Sequence, residues 1–317
     1  MYEVLLLTLG DGHADGGCCG DEAGCAPPPP RVPVLACADA LTAAGARVHT
    51  CTANSDAEID AVLARLDGPA RPDGLPWPAP AGGTRLVVAT AADGQLRAVL
   101  RRLVRRYAPP PSRRPADLAA DRTVPDLPPV GVLPLDPARS GGHRDLAALL
   151  DLPRDPAAVA AAVLGGRTRR LDLLRNDGGS VTLDGALLGG SDDTGRAVPW
   201  LGRVEVDDAV LSDGGDPLLA CVVANAQGYA ELSGIPLVTT ADPADGLVEV
   251  AVAVPVVSRS LFRGSRMRLE VRRARGRAAS ITPREEELPY VDDGVAGTLN
   301  RKRAWWTEAG AWAVYVT

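Results

Sequence analysis

The first candidate for chemistry is a segment in which a short apolar run leads into an acid and then into a helix-like pattern. It spans Val87–Leu96 and contains Asp93. The pattern predicts a buried strand that ends in a turn and starts a helix, and ligands of open α/β sheets bind at such strand ends. The first helical turn also offers unpaired N–H groups and a positive dipole end to a phosphate. The alternative is that Asp93 serves only as the N-cap of the helix.

Strand and helix patterns alternate through the first half of the chain. The predicted strands are Val4–Thr8, Arg47–Thr52, Arg85–Thr90 and Val130–Leu133. The predicted helices are Val32–Ala46, Asn54–Leu66, Gln95–Tyr107, Arg144–Leu150 and Asp155–Leu164. This order favours an α/β domain over residues 1–165, with a mostly parallel sheet covered by helices.

The second half reads differently, because short strand patterns separated by turn residues replace the helices. The predicted strands are Arg169–Leu174, Ser180–Leu183, Leu201–Val206, Leu218–Ala224, Leu247–Val254, Met267–Val271 and Trp312–Val316. Many short strands at close intervals are typical of an antiparallel sandwich. We therefore expect a β-rich antiparallel sandwich domain over residues 166–317.

Length and charge exclude some classes of function. The chain has 317 residues, which suits two domains of ordinary size, and its net charge of −6 argues against a general nucleic-acid binder. No apolar run approaches the ~20 residues that span a bilayer. The segment Met1–Leu7 contains an acid and lacks the basic residues typical of a signal peptide. We expect a cytoplasmic protein, with at most peripheral contact at the inner face of the membrane.

Several short motifs follow one another in an order known from a family of enzymes. The turn Ala91–Gln95 is followed by Pro134-Leu135, Gly141–Ala147 and Arg167–Leu173. In the second half, Val222–Asn225, Ala241–Val250 and Val291–Gly294 continue the series. In these motifs and their order the chain resembles the bacterial diacylglycerol-kinase-like lipid kinases, which are relatives of NAD kinase. The likeness extends over nearly the whole chain.

The resemblance implies transfer of the γ-phosphoryl group of ATP to a lipid hydroxyl, with Mg²⁺ as cofactor. It implies a nucleotide-binding site formed by Ala91, Ala92, Asp93, Gly94, Gln95, Gly141, Gly142 and Arg144. The acids at metal-linked positions are Asp93, Asp145 and Asp172, and Asp245 matches the position of a structural metal site. Asp293, or its neighbour Asp292, matches the position of the general base. Asp93 and Asp293 are therefore the expected catalytic residues.

The nucleotide-binding motifs depart from the family pattern. The family's Gly-Gly-Asp-Gly-Thr is Ala91-Ala92-Asp93-Gly94-Gln95 here, which adds two methyl groups where backbone must approach phosphate and removes a small hydroxyl. Arg144 replaces an asparagine, and Asp136–Ser140 is an insertion. One hypothesis is a lipid kinase with an unusual nucleotide site. The second is a catalytically inactive binding or regulatory protein, and the third is a kinase for a soluble substrate, as in the NAD-kinase relatives.

Two further features suggest partners. The tract Arg259–Arg277 is basic and is either a solvated strand face or a contact for anionic lipid headgroups, which would bring a lipid substrate or ligand within reach. A loop with Cys18, Cys19 and Cys25 matches no standard zinc spacing. It is a disordered thiol-bearing loop, a metal-binding loop or an oxidation sensor. No nucleic-acid partner is expected, and a homodimer is compatible with the sequence.

Overall fold

The structure is a computed structural model, and it describes residues 2–10, 31–80, 83–136, 145–260, 264–284 and 287–317. It divides the chain into two compact units. The first comprises Met1–Leu171 together with Ala311–Thr317, and the second comprises Asp172–Gly310. Residues 311–317 therefore belong with the first unit, whereas the sequence pattern placed them in the β-rich domain.

Strands and helices alternate along the first unit. Its strands are β1 (Glu3–Leu9), β2 (Arg47–Ala53), β3 (Arg85–Thr90), β4 (Val130–Pro134) and the beginning of β5 (Thr168–Asn176). Its helices are α1 (Val32–Ala43), α2 (Asp56–Leu63), α3 (Asp93–Tyr107), α4 (Leu146–Leu149) and α5 (Pro156–Gly165), with 3₁₀ turns at Ala64–Leu66 and Pro111–Arg113. The predicted α/β alternation is confirmed. The helix predicted over Arg144–Leu150 is a single turn, Leu146–Leu149, because Asp145 caps its start.

The strands of the first unit form a parallel sheet. β1 pairs in parallel with β2 on one side and with β3 on the other, and β3 pairs in parallel with β4. β3 and β4 are buried along their whole length, as expected for parallel strands covered on both faces. Because the strands run in the same direction, the carboxyl ends of β1, β3 and β4 lie at one edge of the sheet and their amino ends at the other.

Helices α1 and α5 cover one face of this sheet. Leu41 of α1 and Val163 of α5 belong to the same core cluster as Leu6 and Val87 of the strands. A Cβ atom at Gly131 of β4 would lie 2.7 Å from Cγ2 of Val163. Glycine at this position therefore permits the close approach of α5 to the sheet.

The second unit consists of strands. They are β6 (Val181–Thr182), β7 (Gly185–Leu188), β8 (Gly190–Ser191), β9 (Ala197–Val198), β10 (Gly202–Val206), β11 (Ala209–Asp213), β12 (Ala220–Ala224), β13 (Glu231–Leu232), β14 (Ile235–Pro236), β15 (Val248–Ser260), β16 (Gly264–Gly276), β17 (Ala278–Pro283), β18 (Leu288–Asp292), β19 (Val295–Leu299) and β20 (Arg303–Tyr315). Six of them form an antiparallel sheet in the order β16-β15-β12-β7-β18-β19. A second antiparallel group runs β11-β10-β17-β20. The predicted β-rich antiparallel region is confirmed.

A shared core holds the two strand groups of the second unit together. Val204, Ile281 and Trp305 from one group lie in the same buried cluster as Val223 and Val250 from the other. Side chains that alternate towards such a core are the usual basis of a sandwich.

The last strand, β20, ends in the first unit. There Val314 lies opposite Val130 of β4 in a parallel pair. Leu127 also donates its backbone N–H to the carbonyl of Ala311 at 2.8 Å. Across the described parts of the chain, no helix has the length and apolar character needed to cross a membrane.

Candidate functional site

The turn at the carboxyl end of β3 has the predicted strand-turn-helix form. β3 ends at Thr90, and α3 begins at Asp93. Ala92 occupies the N-cap position with extended backbone and makes no side-chain cap hydrogen bond. Asp93 is therefore the first residue of the helix, and the alternative in which it is the N-cap is wrong. An acid in the first turn still interacts favourably with the helix dipole.

Gln95 closes the turn with its own side chain. The backbone N–H of Ala91 donates to Oε1 of Gln95 at 2.7 Å. The backbone N–H of Gln95 donates to the carbonyl of Ala92 at 3.0 Å. Gln95 is 3% exposed, and the bond is partly buried. The N–H of Ala91 is one of the groups that a bound phosphate would use at such a turn, and a side chain already holds it.

The carboxylates of Asp93 and Asp145 both bind backbone N–H groups at the start of α4. Oδ2 of Asp93 accepts a hydrogen bond from the backbone N–H of Leu146 at 3.1 Å. Oδ1 of Asp145 caps the same helix by accepting from Ala147 and Ala148 at 3.0 and 3.2 Å. Two acids that the sequence assigned to metal therefore satisfy helix N–H groups, which otherwise lack partners.

Asp145 has a second partner on its other oxygen. Its Oδ2 atom lies 2.7 Å from Nη1 of Arg154 in an ion pair. The carboxylate thus holds a helix start and a guanidinium at the same time.

A small cavity adjoins this turn. Its volume is about 20 Å³, which is room for about one water molecule. The described residues that line it are Thr90, Ala91, Ala92, Asp93, Leu96, Val132, Pro134, Asp136, Asp145, Leu146, Ala147 and Leu152. Other parts of the predicted nucleotide site, Gly141, Gly142 and Arg144, lie outside the described residues. The same holds for most of the Asp136–Ser140 insertion and for Cys18, Cys19 and Cys25.

Asp172 is a buried structural acid of the second unit. Its Oδ1 and Oδ2 atoms accept hydrogen bonds from the backbone N–H groups of Gly310 and Gly246, at 2.7 and 2.5 Å. Burial raises the pKa of the Asp172 carboxyl, and the negative charges of Asp245 and Asp242 add to the effect. The side chain ties β5 to two distant segments of the unit.

Asp245 forms an ion pair with an arginine of the same unit. Its Oδ1 atom accepts a hydrogen bond from the backbone N–H of Leu247 at 2.9 Å, and its Oδ2 atom forms an ion pair with Nη2 of Arg275. The guanidinium therefore supplies positive charge at the acid where the resemblance implied a structural metal.

Asp293 fastens the segment between β6 and β7. Its Oδ2 atom accepts from the backbone N–H of Leu183 at 2.7 Å. Its Oδ1 atom accepts from Asp184 and Gly185 at 2.9 and 3.2 Å. The residue is 4% exposed and has a φ of 49°, in the left-handed region that Asp adopts more readily than most residues. The acid expected to act as a base is thus bonded to three backbone N–H groups.

Asn225 is a structural residue whose role the motif did not reveal. Its Nδ2 atom donates to the carbonyl oxygens of Asp172 and Leu183, both at 3.0 Å. It is 1% exposed. The strand-ending position of Asn225 was visible in the sequence, but its bonds reach residues far away in the chain.

The acids among the described residues do not cluster around a site for Mg²⁺. Within the ranges that the structure describes, no group of three or more His, Cys, Asp or Glu side chains is placed to hold a metal ion. Asp93 and Asp145 serve helix α4 in the first unit, and Asp172 and Asp245 serve backbone and Arg275 in the second. Within each unit, therefore, these acids do not fit the predicted metal site.

Several arginines of the basic tract Arg259–Arg277 form hydrogen bonds or ion pairs within the second unit. On β16, Nε of Arg272 lies 2.8 Å from Glu270, and Nε of Arg273 donates to the carbonyl of Leu237 at 2.8 Å. Arg275 is bound to Asp245. Side chains between residues 257 and 267 lie outside the description. Lipid contact through Arg259–Arg277 stays a prediction.

The sequence matches no family model and no curated protein. The chain does match solved structures over its whole length. One is a diacylglycerol kinase from Bacillus anthracis str. Sterne, with 13% identity and a TM-score of 0.60 over 100% of this chain and 97% of that chain. Another, a putative diacylglycerol kinase from the same organism, gives 14% identity and a TM-score of 0.62 over 100% and 97%. The chain has the diacylglycerol-kinase fold. This confirms the fold that the motifs indicated, whereas at such low identity the chemistry depends on the residues described above.

Proposed function

We propose that this protein is a non-catalytic member of the diacylglycerol-kinase fold, a binding or regulatory protein that does not transfer phosphoryl groups. The observation that carries the proposal is the hydrogen bond from the Ala91 N–H to Oε1 of Gln95. A phosphate that binds the Ala91 N–H must displace that bond, and the buried Gln95 side chain then has to find another partner. Leaving a buried polar group without a partner costs about 1–3 kcal/mol.

The hydrogen bonds and ion pairs of the candidate metal-binding acids also support the proposal. Phosphoryl transfer requires charge neutralisation by metal and basic groups around the phosphates. Asp93 and Asp145 hold the start of α4, and Asp245 holds Arg275. Recruiting them to Mg²⁺ would compete with hydrogen bonds and ion pairs inside the protein.

ATP- and Mg²⁺-dependent phosphoryl transfer to the hydroxyl of diacylglycerol or a related lipid is the alternative. It is favoured by the position of Asp93, at the carboxyl end of the buried strand β3, because folds of this kind bind ligands at that edge. If this alternative holds, Asp93 is required for turnover.

The test uses the full chain with labelled ATP, Mg²⁺ and dioctanoylglycerol in detergent micelles. We expect no labelled lipid above the level given by the Asp93→Asn variant. Calorimetry with Mg²⁺ and ATP on the same samples measures nucleotide binding separately. Labelled lipid that forms with the wild-type chain and disappears with Asp93→Asn would establish the kinase alternative. Asp193→Asn, an exposed acid in the second unit, is the matched control.

A further inference from the structure

A second cavity opens at the amino-end edge of the parallel sheet. Its volume is about 610 Å³, within the range of pockets that hold small organic ligands. It adjoins Arg85, where β3 begins, and Pro129, just before β4. Because these strands are parallel, this edge is the opposite one from the turn at Asp93. The cavity is therefore separate from the candidate site.

Apolar and stiff side chains form part of the walls of this cavity, beside polar and charged ones. Trp77, Leu118 and Leu127 line it together with several prolines, among them Pro128 and Pro129. Proline rings fix the backbone φ angle, so these walls lose little conformational freedom when a ligand binds.

Positive charge exceeds negative charge in the lining. Nη1 of Arg122 and Nη2 of Arg170 lie 2.5 and 2.6 Å from the same oxygen of Asp126. The other acid of the lining, Asp117, is paired with Arg71 at 3.1 Å. Two guanidinium groups thus share one carboxylate, and that carboxylate is 61% exposed.

Arg122 has unused hydrogen-bonding capacity. Its Nε and Nη2 atoms are buried and have no acceptor among the described residues. A buried donor without a partner is unfavourable, so the guanidinium gains when it turns towards an anion. Such a turn exchanges the bond of Nη1 to Asp126 for bonds to the anion, and it breaks none at Nε or Nη2.

Arg170 is the second arginine that binds Asp126. Burial lowers the pKa of its guanidinium, and the positive charge of Arg122 lowers it further, while Asp126 acts in the opposite direction. An anion between the two arginines would relieve their repulsion, and guanidinium groups bind carboxylate or phosphate oxygens in pairs.

We propose that this cavity binds a small amphiphilic anion, whose apolar body lies along Trp77 and the proline walls and whose carboxylate or phosphate head lies between Arg122 and Arg170. The apolar part of the lining would contact the body of the ligand. The two arginines that share Asp126 would bind its negative head. The inference does not depend on whether the turn at Asp93 transfers phosphoryl groups.

The experiment is calorimetric titration of the full chain with decanoate, a ten-carbon carboxylate. Saturable one-to-one binding is expected, with affinity at least tenfold lower in Arg170→Gln and in Arg122→Gln. Arg105→Gln removes the same charge from an exposed position on α3 and should bind decanoate like the wild type. Arg170 is 42% exposed, so its replacement leaves the fold intact even if Arg122→Gln lowers stability.

Two further probes separate head from body. Decanol, which lacks the charge, should bind at least tenfold more weakly than decanoate. Inorganic phosphate, which lacks the apolar body, should not displace decanoate at equal concentration. The proposal is overturned if decanoate fails to bind, if the Arg170 and Arg105 variants bind it equally, or if either probe matches decanoate.

Discussion

Oε1 of Gln95 accepts the backbone N–H of Ala91, four residues earlier, at 2.7 Å. The bond joins the turn after β3 to the first turn of α3 and is partly buried. A threonine at the same position has no side chain long enough to reach back in this way. The exchange of a small hydroxyl for a long amide therefore changes what the turn can bind.

Replacing Gln95 by alanine should open the turn to anions. The variant removes the Gln95 acceptor from the N–H of Ala91, so affinity for inorganic phosphate or ATP should rise at least threefold by calorimetry. Loss of the partly buried bond should lower the free energy of unfolding by about 1–2 kcal/mol. Arg105→Gln, on the exposed face of the same helix, serves as control. Unchanged phosphate affinity together with the expected loss of stability would mean that the bond is purely structural.

Arg275→Ala should create sensitivity to divalent cations. The variant removes the cation beside Asp245, and the charges of Asp172 and Asp242 are close enough to interact. The ion pair is partly exposed, so its loss should lower stability by less than about 1 kcal/mol. Millimolar Ca²⁺ should raise the melting temperature of the variant and leave that of the wild type unchanged.

The matched control for this experiment is Arg268→Ala, an exposed arginine on the same strand. It should show no response to Ca²⁺. Equal responses of both variants would point to a general effect of charge and would contradict the specific role of Arg275.

Asp293→Ala should lower stability strongly. The substitution leaves three backbone N–H groups without an acceptor and places alanine at a positive φ, so we expect a loss of about 3 kcal/mol in urea unfolding. Asp293→Asn keeps one acceptor oxygen and a residue that tolerates this φ, so its loss should be smaller. Equal stability of the alanine variant and the wild type would refute the anchoring role.

Asp172 should make the stability of the protein fall as the pH rises. Burial raises the pKa of its carboxyl above the ordinary value of 3.8, so the folded state binds this proton more tightly than the unfolded state. Stability is then highest while the group is protonated and decreases as the pH passes from 3.8 upwards through the folded-state pKa.

Urea unfolding at several pH values measures this effect in the wild type and in Asp172→Asn. The difference in unfolding free energy between them should change in favour of the variant as the pH rises through that window. A difference for Asp172→Asn that does not vary with pH would contradict the assigned cause.

The parts of the fold that follow from local periodicity were predictable. The alternation of strands and helices up to residue 165 and the turn after Thr90 depend on neighbouring residues, and the sequence displays them directly. The strand over Trp312–Val316 was predicted, but its place in the first unit was not, because its pairing of Val314 with Val130 links residues far apart in sequence.

The sequence located the acids of the candidate site along the chain, but it did not show the hydrogen bonds and ion pairs that they form. The acids Asp93, Asp172 and Asp293 could be located by motif, but their partners are backbone groups 53 to 138 residues away. The sequence also does not show that Asp245 pairs with Arg275, because β16 contains several arginines that could be the partner. The bond between Gln95 and Ala91 and the bonds of Asp145 to Ala147 and Ala148 are local enough to be inferred from spacing.

Residues 311–317 complete the first unit, although they follow the whole of the second unit in the chain. During synthesis on the ribosome, β4 therefore emerges long before the strand that covers its open edge at Val130. That edge of the nascent first unit stays unpaired while the second unit is synthesised. Exposed strand edges invite pairing with other chains, so this order of synthesis creates a period in which chaperone protection matters.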